Sequence, residues 1–270
     1  MQNFMEKIGL IAGNRKFPFI FAQAAKKNNL YIVTVAIKGD TSPKLKKLVD
    51  KIYWIGLHEF RRMLEIFKQE DIKKVVMAGQ ISPRKLFSKD IGRSKEVREI
   101  LASIKDKKAD TIFGAIAEKL QESGLELLDS TTFLKDYLPK KGTLTEREPD
   151  IGVWDDIYFG LDLARAIAYL DIGQTVAIKE KAVVAVEALE GTDNVIRRAG
   201  RLTAGITVIK VSKPRQDVRF DIPVVGLNTV KNLVKAGAKC LAIEAGKTLF
   251  IDKQQSIELA DKKGISIVAV

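Results

Sequence analysis

The sequence predicts two α/β domains, an N-terminal Rossmann-like domain built on a parallel sheet and a C-terminal domain built on a mixed sheet. Three observations carry this expectation. Up to Gln80, short continuous apolar runs alternate with amphipathic stretches, the pattern of strands covered on both faces by helices. Pro139–Pro149 (PKKGTLTEREP) then concentrates prolines, a glycine and charges, which is linker chemistry. Beyond it β-branched runs recur, two of them so close that only a turn can join them.

Taken in order, Ile8–Ala12 is a short apolar strand ending at Gly13, followed by a helix over Pro18–Asn28. Leu30–Ile37 (LYIVTVAI) is rich in β-branched residues and predicts a second strand. His58–Gln69 is helical, with Phe60, Met63, Leu64 and Phe67 recurring at three and four. Lys74–Ala78 is a further buried strand, broken by Gly79. Helical periodicity runs from Ile91 to Leu120, with Asp110 as the N-cap of Thr111–Gln121, and Leu125–Leu128 adds a strand. The first domain therefore covers residues 1–140. Residues 141–170 form a linker and a bridging helix, Trp154–Tyr169, with Ile157, Leu161, Ala164, Ile167 and Ala168 on one side. Residues 171–270 form the second domain. Its strands are Gln174–Lys179 and Ala182–Ala188, joined at Glu180-Lys181, then Gly205–Val211, Cys240–Glu244, Thr248–Ile251 and Ile265–Val270. Its helices are Asn228–Ala236 and Asp252–Lys262, the latter opening with Asp252 and Gln255 at capping-box spacing.

Composition narrows the chemistry. Of 270 residues, 46% are hydrophobic and 30% charged, a globular balance that excludes a disordered chain. No run reaches the ~18 apolar residues of a membrane span, and the N-terminus lacks a signal peptide's apolar core, so a cytoplasmic protein is expected. One cysteine, Cys240, and one histidine, His58, exclude thiolate or multi-histidine metal cages. A metal, if used, would be a hard cation such as Mg²⁺ or Mn²⁺ held by carboxylates and phosphate. His58, at a helix start, reads as a surface or capping residue rather than a general base. Lysine and arginine exceed aspartate and glutamate by 46 to 34, a formal charge of +12, which favours an anionic partner although many lysines lie on helix faces beside glutamates. No arginine-rich run, zinc finger or glycine-aromatic motif points to nucleic acid.

Gly13-Asn14 and Gly79-Gln80 each follow a strand, where backbone amides can receive phosphate or simply make a tight turn. Gly9 and Gly13 do not give the dinucleotide fingerprint G-x-G-x-x-G. Gly246-Lys247-Thr248 resembles the end of a phosphate-binding loop, but the first glycine of that motif is replaced by Leu241. The sharpest cluster joins Glu187–Asp193 (EALEGTD) to Lys213–Asp221 (KPRQDVRFD). Glu190, Asp193, Asp217 and Asp221 supply carboxylates, and Lys213, Arg215 and Arg219 supply cations. In extended backbone Asp217, Arg219 and Asp221 share a face, and Pro214 and Pro223 keep the stretch out of a helix. Such a mixture suits phosphoryl chemistry, and a surface salt-bridge ladder is the alternative.

At these residues the chain resembles the LpxI-type UDP-2,3-diacylglucosamine pyrophosphatases of bacterial lipid A biosynthesis. The resemblance runs through Leu10–Asn14 with Pro18, Met77–Gln80, Gly142–Thr145 with Pro149, and Leu170–Gln174. It is densest at Ala185–Ala188, Glu190–Asp193 and Lys213–Pro223, and closes at Glu244–Gly246. One departure is Arg15, where the family pattern has glycine. The resemblance implies an enzyme with its substrate between two domains, hydrolysing UDP-2,3-diacylglucosamine to UMP and 2,3-diacylglucosamine 1-phosphate (lipid X) with Mg²⁺ or Mn²⁺. It singles out an aspartate in the motif holding Asp217 and Asp221; Asp217 ranks first here because Gln216 beside it gives a polar anchor. Under this reading Asp193, Asp217 and Asp221 share the metal, and one of them positions water. Lys213 and Arg219 stabilise the breaking P–O bond. Gly13, Asn14, Gly79, Gln80, Glu190, Gly191, Thr192 and Gln216 contact substrate. An anionic lipid substrate gives the lysines a reason, as peripheral contact with the inner membrane. The apolar C-terminal strand Ile265–Val270 leaves a homodimer open. Two other readings stay open, a non-catalytic nucleotide- or lipid-binding protein and a hydrolase of another nucleotide-sugar.

Overall fold

A computed structural model describes residues 5–82, 94–106, 109–214 and 216–270. The expected positions Ile91 and Arg215 lie outside the described residues, as does the side chain of Asp110. The chain forms two compact α/β units. The first comprises the residues up to Leu134 together with Asp217–Asp221, and the second comprises Lys135–Gln216 and Ile222–Val270.

In the first unit β1 (Lys7–Ala12), α1 (Phe17–Lys27), β2 (Tyr31–Ile37), β3 (Lys51–Ile55), α2 (Phe60–Gln69) and β4 (Lys74–Ala78) follow in order. Two further helices, α3 (Lys95–Ser103) and α4 (Ala109–Glu122), precede β5 (Glu126–Leu127). The sheet is parallel throughout, in the order β3-β2-β1-β4-β5. This is the doubly wound arrangement, with its reversal point between β1 and β4. Six of the seven residues of β2 are buried, as a central strand covered on both faces requires. Helix α2 buries Phe60, Met63, Ile66 and Phe67 against Val33, Val35 and Val75. His58 precedes this helix, and Glu59 is its N-cap residue.

The second unit carries β6 (Gly142–Thr143), α5 (Ile151–Tyr169), β7 (Thr175–Lys179), β8 (Ala182–Val186), α6 (Thr192–Leu202), β9 (Thr207–Lys210) and β10 (Val224–Val225). It continues with α7 (Leu227–Lys235), β11 (Cys240–Ile243), β12 (Leu249–Phe250), α8 (Lys253–Lys262) and β13 (Ser266–Ala269). The mixed sheet runs β6-β13-β11-β9-β7-β8, and β10 pairs with β12 in a parallel ribbon. Helix α5 covers one face, packing Ile157, Leu161 and Ala164 on Val176, Ile178 and Ile209. Its Gly160 lets the backbone approach, since a Cβ there would meet Ile209 Cδ1 at 2.6 Å. Helices α6, α7 and α8 cover the other face through Val195, Ile196, Val230, Leu233 and Ala260.

Several expectations are corrected. Helix α5 belongs to the second unit, with its apolar stripe on that sheet. Part of the proposed linker is sheet: β6 pairs with β13, and Thr145 Oγ1 accepts from Ile267 N at 2.9 Å. With β6 on one side and β11 on the other, β13 is an interior strand, which removes the C-terminal strand as a dimerising edge. Asp252 makes no side-chain cap and sits at φ 50°, so the capping box is not formed. Asp217–Asp221 is a turn, not an extended ladder: Asp221 N donates to Asp217 O at 2.9 Å. Flanking prolines exclude a long helix but leave room for one turn.

Candidate functional site

In the second unit β8, β9, β11 and β13 run one way and β7 runs against them. The carboxyl ends of the parallel strands and the start of β7 therefore share one edge, where ligands bind in open α/β sheets. Polar residues are buried at this edge: Thr175, Glu187, Lys210, Ser212 and Glu244. Lys210, the last residue of β9, is only 5% exposed. Its ammonium donates to Thr192 Oγ1 at 2.6 Å, and Thr192 in turn donates to Glu187 Oε1 at 3.0 Å. The Thr175 hydroxyl lies 3.3 Å from that of Thr192. No carboxylate pairs with Lys210 among the described residues, so two of its three donors are left for a ligand or water. Burying an ammonium this way is costly unless an anion completes it.

Helix α6 starts beside this lysine. Its N-cap residue is Gly191, at φ 81°, and no side chain caps the first turn. The positive end of an uncapped helix and a buried ammonium both favour a phosphate. Neighbouring acids are hydrogen-bonded: Glu190 Oε1 accepts from Arg198 Nη2 at 2.5 Å, and Asp193 Oδ2 accepts from Asn228 Nδ2 at 2.7 Å. A few residues on, Glu244 Oε2 accepts from Ser212 N at 2.8 Å, and Lys213 pairs with Asp171 at 2.8 Å. Gln216 Oε1 accepts from Ser212 Oγ at 3.1 Å and Lys213 N at 2.6 Å. The side chain of Gln216 thus organises its own loop rather than anchoring Asp217.

The acidic-basic motif is divided after Gln216. Asp217–Asp221 belongs to the first unit, where Val218 O accepts from Ser130 N at 3.1 Å and Ser130 Oγ at 2.7 Å. Phe220 packs with Phe113, ring centres 6.0 Å apart. Asp217 spends both carboxylate oxygens on Arg219, at 2.9 Å to Nε and 2.7 Å to Nη2. These guanidinium bonds hold the Asp217 carboxyl below its ordinary range and raise the Arg219 value. The pair closes the turn.

The glycine loops of the first unit are laced together. Gly13 N donates to Ala78 O and Asn14 N to Gln80 O, both at 2.8 Å. A Cβ on Gly13 would stand 2.5 Å from Gln80 O, and one on Gly79, at φ 92°, would stand 2.5 Å from Asn14 O. These glycines are required by the close approach of two backbones at the reversal point. Asn14 Nδ2 reaches Ser82 Oγ at 3.3 Å, while its buried Oδ1 has no partner among the described residues.

The LpxI N-terminal domain matches residues 7–137, and the LpxI C-terminal domain matches residues 140–268. The chain belongs to the LpxI family. It is 28% identical to the UDP-2,3-diacylglucosamine pyrophosphatase LpxI of Caulobacter vibrioides, over 98% of each chain. Among solved structures it is similar to the biotin carboxylase subunit of pyruvate carboxylase, with a TM-score of 0.29, 13% identity and 68% of this chain covered. It is likewise similar to the ADP complex of N5-carboxyaminoimidazole ribonucleotide synthetase, with a TM-score of 0.29, 14% identity and 73% of this chain covered. The chain spans 36% and 45% of those two proteins, and likenesses this distant add nothing to the functional reading.

In this LpxI chain, no three acidic, histidine or cysteine groups stand close enough to form a metal cage among the described residues. Asp193 belongs to the second unit and Asp217 and Asp221 to the first, so neither unit by itself gathers the expected three ligands. A set of one or two carboxylates still suits magnesium or manganese, which keep waters and take substrate phosphate oxygens. Cys240 is excluded as a nucleophile, since burial pushes its thiol up to about 12. No described helix is long and apolar enough to cross a membrane. Sequence reasoning missed Lys210 as a site residue. A lysine ending an otherwise apolar strand (TVIK) was the available signal.

Proposed function

We propose that the protein hydrolyses the pyrophosphate of UDP-2,3-diacylglucosamine, giving UMP and 2,3-diacylglucosamine 1-phosphate. The observation that carries this reading is Lys210, a buried ammonium with donors to spare beside an uncapped helix, in a family whose named relative acts on that substrate. Lys210 and the first amides of α6 would hold phosphate oxygens, with Thr192 and Glu187 fixing the lysine's direction. Lys213, braced by Asp171, would add a second cation. Asp221 would orient water and accept its proton as the new P–O bond forms and the bridging P–O bond breaks. Arg219 is assigned a supporting role, keeping Asp217–Asp221 in its turn. Mg²⁺ or Mn²⁺, held by Asp221 and phosphate oxygens, would neutralise charge on the diphosphate. The basic excess would favour peripheral contact with an anionic membrane.

The test is UMP release from purified protein given UDP-2,3-diacylglucosamine with Mg²⁺, with Mn²⁺ or with chelator. Turnover that requires the cation supports the reading. Tight binding without turnover would instead indicate a binding protein, and equal turnover of acyl-free UDP-sugars would indicate a different substrate.

A further inference from the structure

Helix α5 has a solvent face as distinctive as its buried one. The buried side carries Val153, Ile157, Leu161 and Ala164 onto the sheet. The opposite side of an amphipathic helix is normally polar, yet here it presents aromatic rings. Tyr158 and Tyr169 are 63% and 69% exposed, and Phe159 is exposed as well. Trp154 stacks on Tyr158 with ring centres 5.6 Å apart, which steadies that ring. Large rings grouped on one side of one helix mark a surface that is covered in use, because tyrosine and tryptophan contribute most to association when water is excluded from them.

The order of residues on this face says what covers it. Tyr158, Asp162, Arg165 and Tyr169 follow one another at helical spacings of four, three and four, so they form one stripe. Asp162 has no hydrogen-bond or ion-pair partner among the described residues. Arg165 reaches Glu244 Oε1 through Nη2 at 3.5 Å and its side chain stays half exposed, so most of its guanidinium donors remain available. The midpoint between Asp162 and Arg165 is also the midpoint between Tyr158 and Tyr169. When two such helices pack antiparallel about a two-fold axis at that point, Asp162 of each faces Arg165 of the other, and Tyr158 of each faces Tyr169. The stripe is therefore complementary to itself in both charge and ring placement. An anionic bilayer gains little here: Lys181 pairs with Asp155 at 2.8 Å and Arg165 is balanced by Asp162, so the face lacks the basic excess that draws a helix to such lipid.

We propose that α5 is a dimerisation helix and that a second copy of this chain covers it, through antiparallel α5 pairing about a two-fold axis. The pairing is independent of the hydrolytic activity proposed above.

The experiment is sedimentation velocity of the full-length protein over a concentration series, with circular dichroism to confirm folding. It compares wild type with Tyr158→Ala, Tyr169→Ala, Asp162→Arg, Arg165→Asp and an equimolar mixture of the two charge variants. Wild type should sediment at twice the chain mass at micromolar concentration. Each tyrosine variant should weaken the dimer by about tenfold or more. Asp162→Arg alone sets arginine against arginine, and Arg165→Asp alone sets aspartate against aspartate, so each should dissociate by a similar factor. In the mixture both crossings pair arginine with aspartate again, and the dimer should return. Loss of structure in either variant gives no such recovery. A wild type that stays monomeric overturns the proposal, as does a dimer that the folded variants leave intact or a mixture of folded charge variants that stays dissociated. A monomeric wild type that cosediments with anionic vesicles, and fails to do so as Tyr158→Ala, likewise overturns it and gives the face to lipid.

Discussion

Asp217 and Asp221 are four positions apart, and each carries its own prediction. Asp217 is bound through both oxygens to Arg219, which depresses its pKa. Its contribution to stability is therefore present at neutral pH and is lost as pH falls from about 4, the ordinary carboxylate value, through the lowered one. Asp217→Asn should accordingly flatten the acid limb of the stability curve, measured by urea unfolding between pH 2 and pH 6. Asp221→Asn should cut turnover by about a hundredfold or more, measured as UMP release with circular dichroism confirming that the variant folds. Equal turnover losses in both variants would mean that the turn, not one acid, matters. Cys240 gives a separate check. With its thiol raised to about 12 by burial, it should resist thiol reagents at pH 8 until urea unfolds the chain. Above about pH 8.5 the unfolded thiol ionises first, so this residue's contribution to stability declines as pH rises.

The elements follow from the sequence where a strand is a continuous apolar run, as in YIVTVAI of β2 and TVAIK of β7. Helix α6 was not legible. Asp193, Asn194 and Gly200 weaken its intrinsic preference, and the glycine is there for packing: a Cβ would stand 2.5 Å from Ala236 Cα. Its formation depends on burying Val195, Ile196 and Ala199 against the sheet, a tertiary effect that propensity does not report. The same element brings Thr192, already expected as a substrate contact, to Lys210, which was not expected. The laced loops after β1 and β4 yield a prediction at this scale. Gly79→Ala combines a positive φ with a Cβ 2.5 Å from backbone, and should destabilise by more than about 2 kcal/mol. A Tm within two or three degrees of wild type, on the order of 1 kcal/mol for a domain of this size, would show that these loops yield more easily than their hydrogen bonds suggest.

For the whole molecule, the two-domain α/β class was readable, but the division of the acidic-basic motif was not. Periodicity reports neighbours along the chain, whereas Asp217–Asp221 joins the first unit through Ser130 and Phe113, far earlier in the sequence. The formal charge of +12 predicts salt-sensitive adsorption. Cosedimentation with vesicles containing anionic lipid should be strong in dilute buffer and largely lost at 0.5 M salt, and adsorption to neutral vesicles at equal strength would argue against an electrostatic origin. The assignment of lipid-linked diphosphate cleavage to Asp221 is checked by UMP release from UDP-2,3-diacylglucosamine with wild type and Asp221→Asn side by side in Mg²⁺. It predicts steady UMP formation by the wild type and almost none by the variant; equal rates from the two, or no UMP from either, would contradict it.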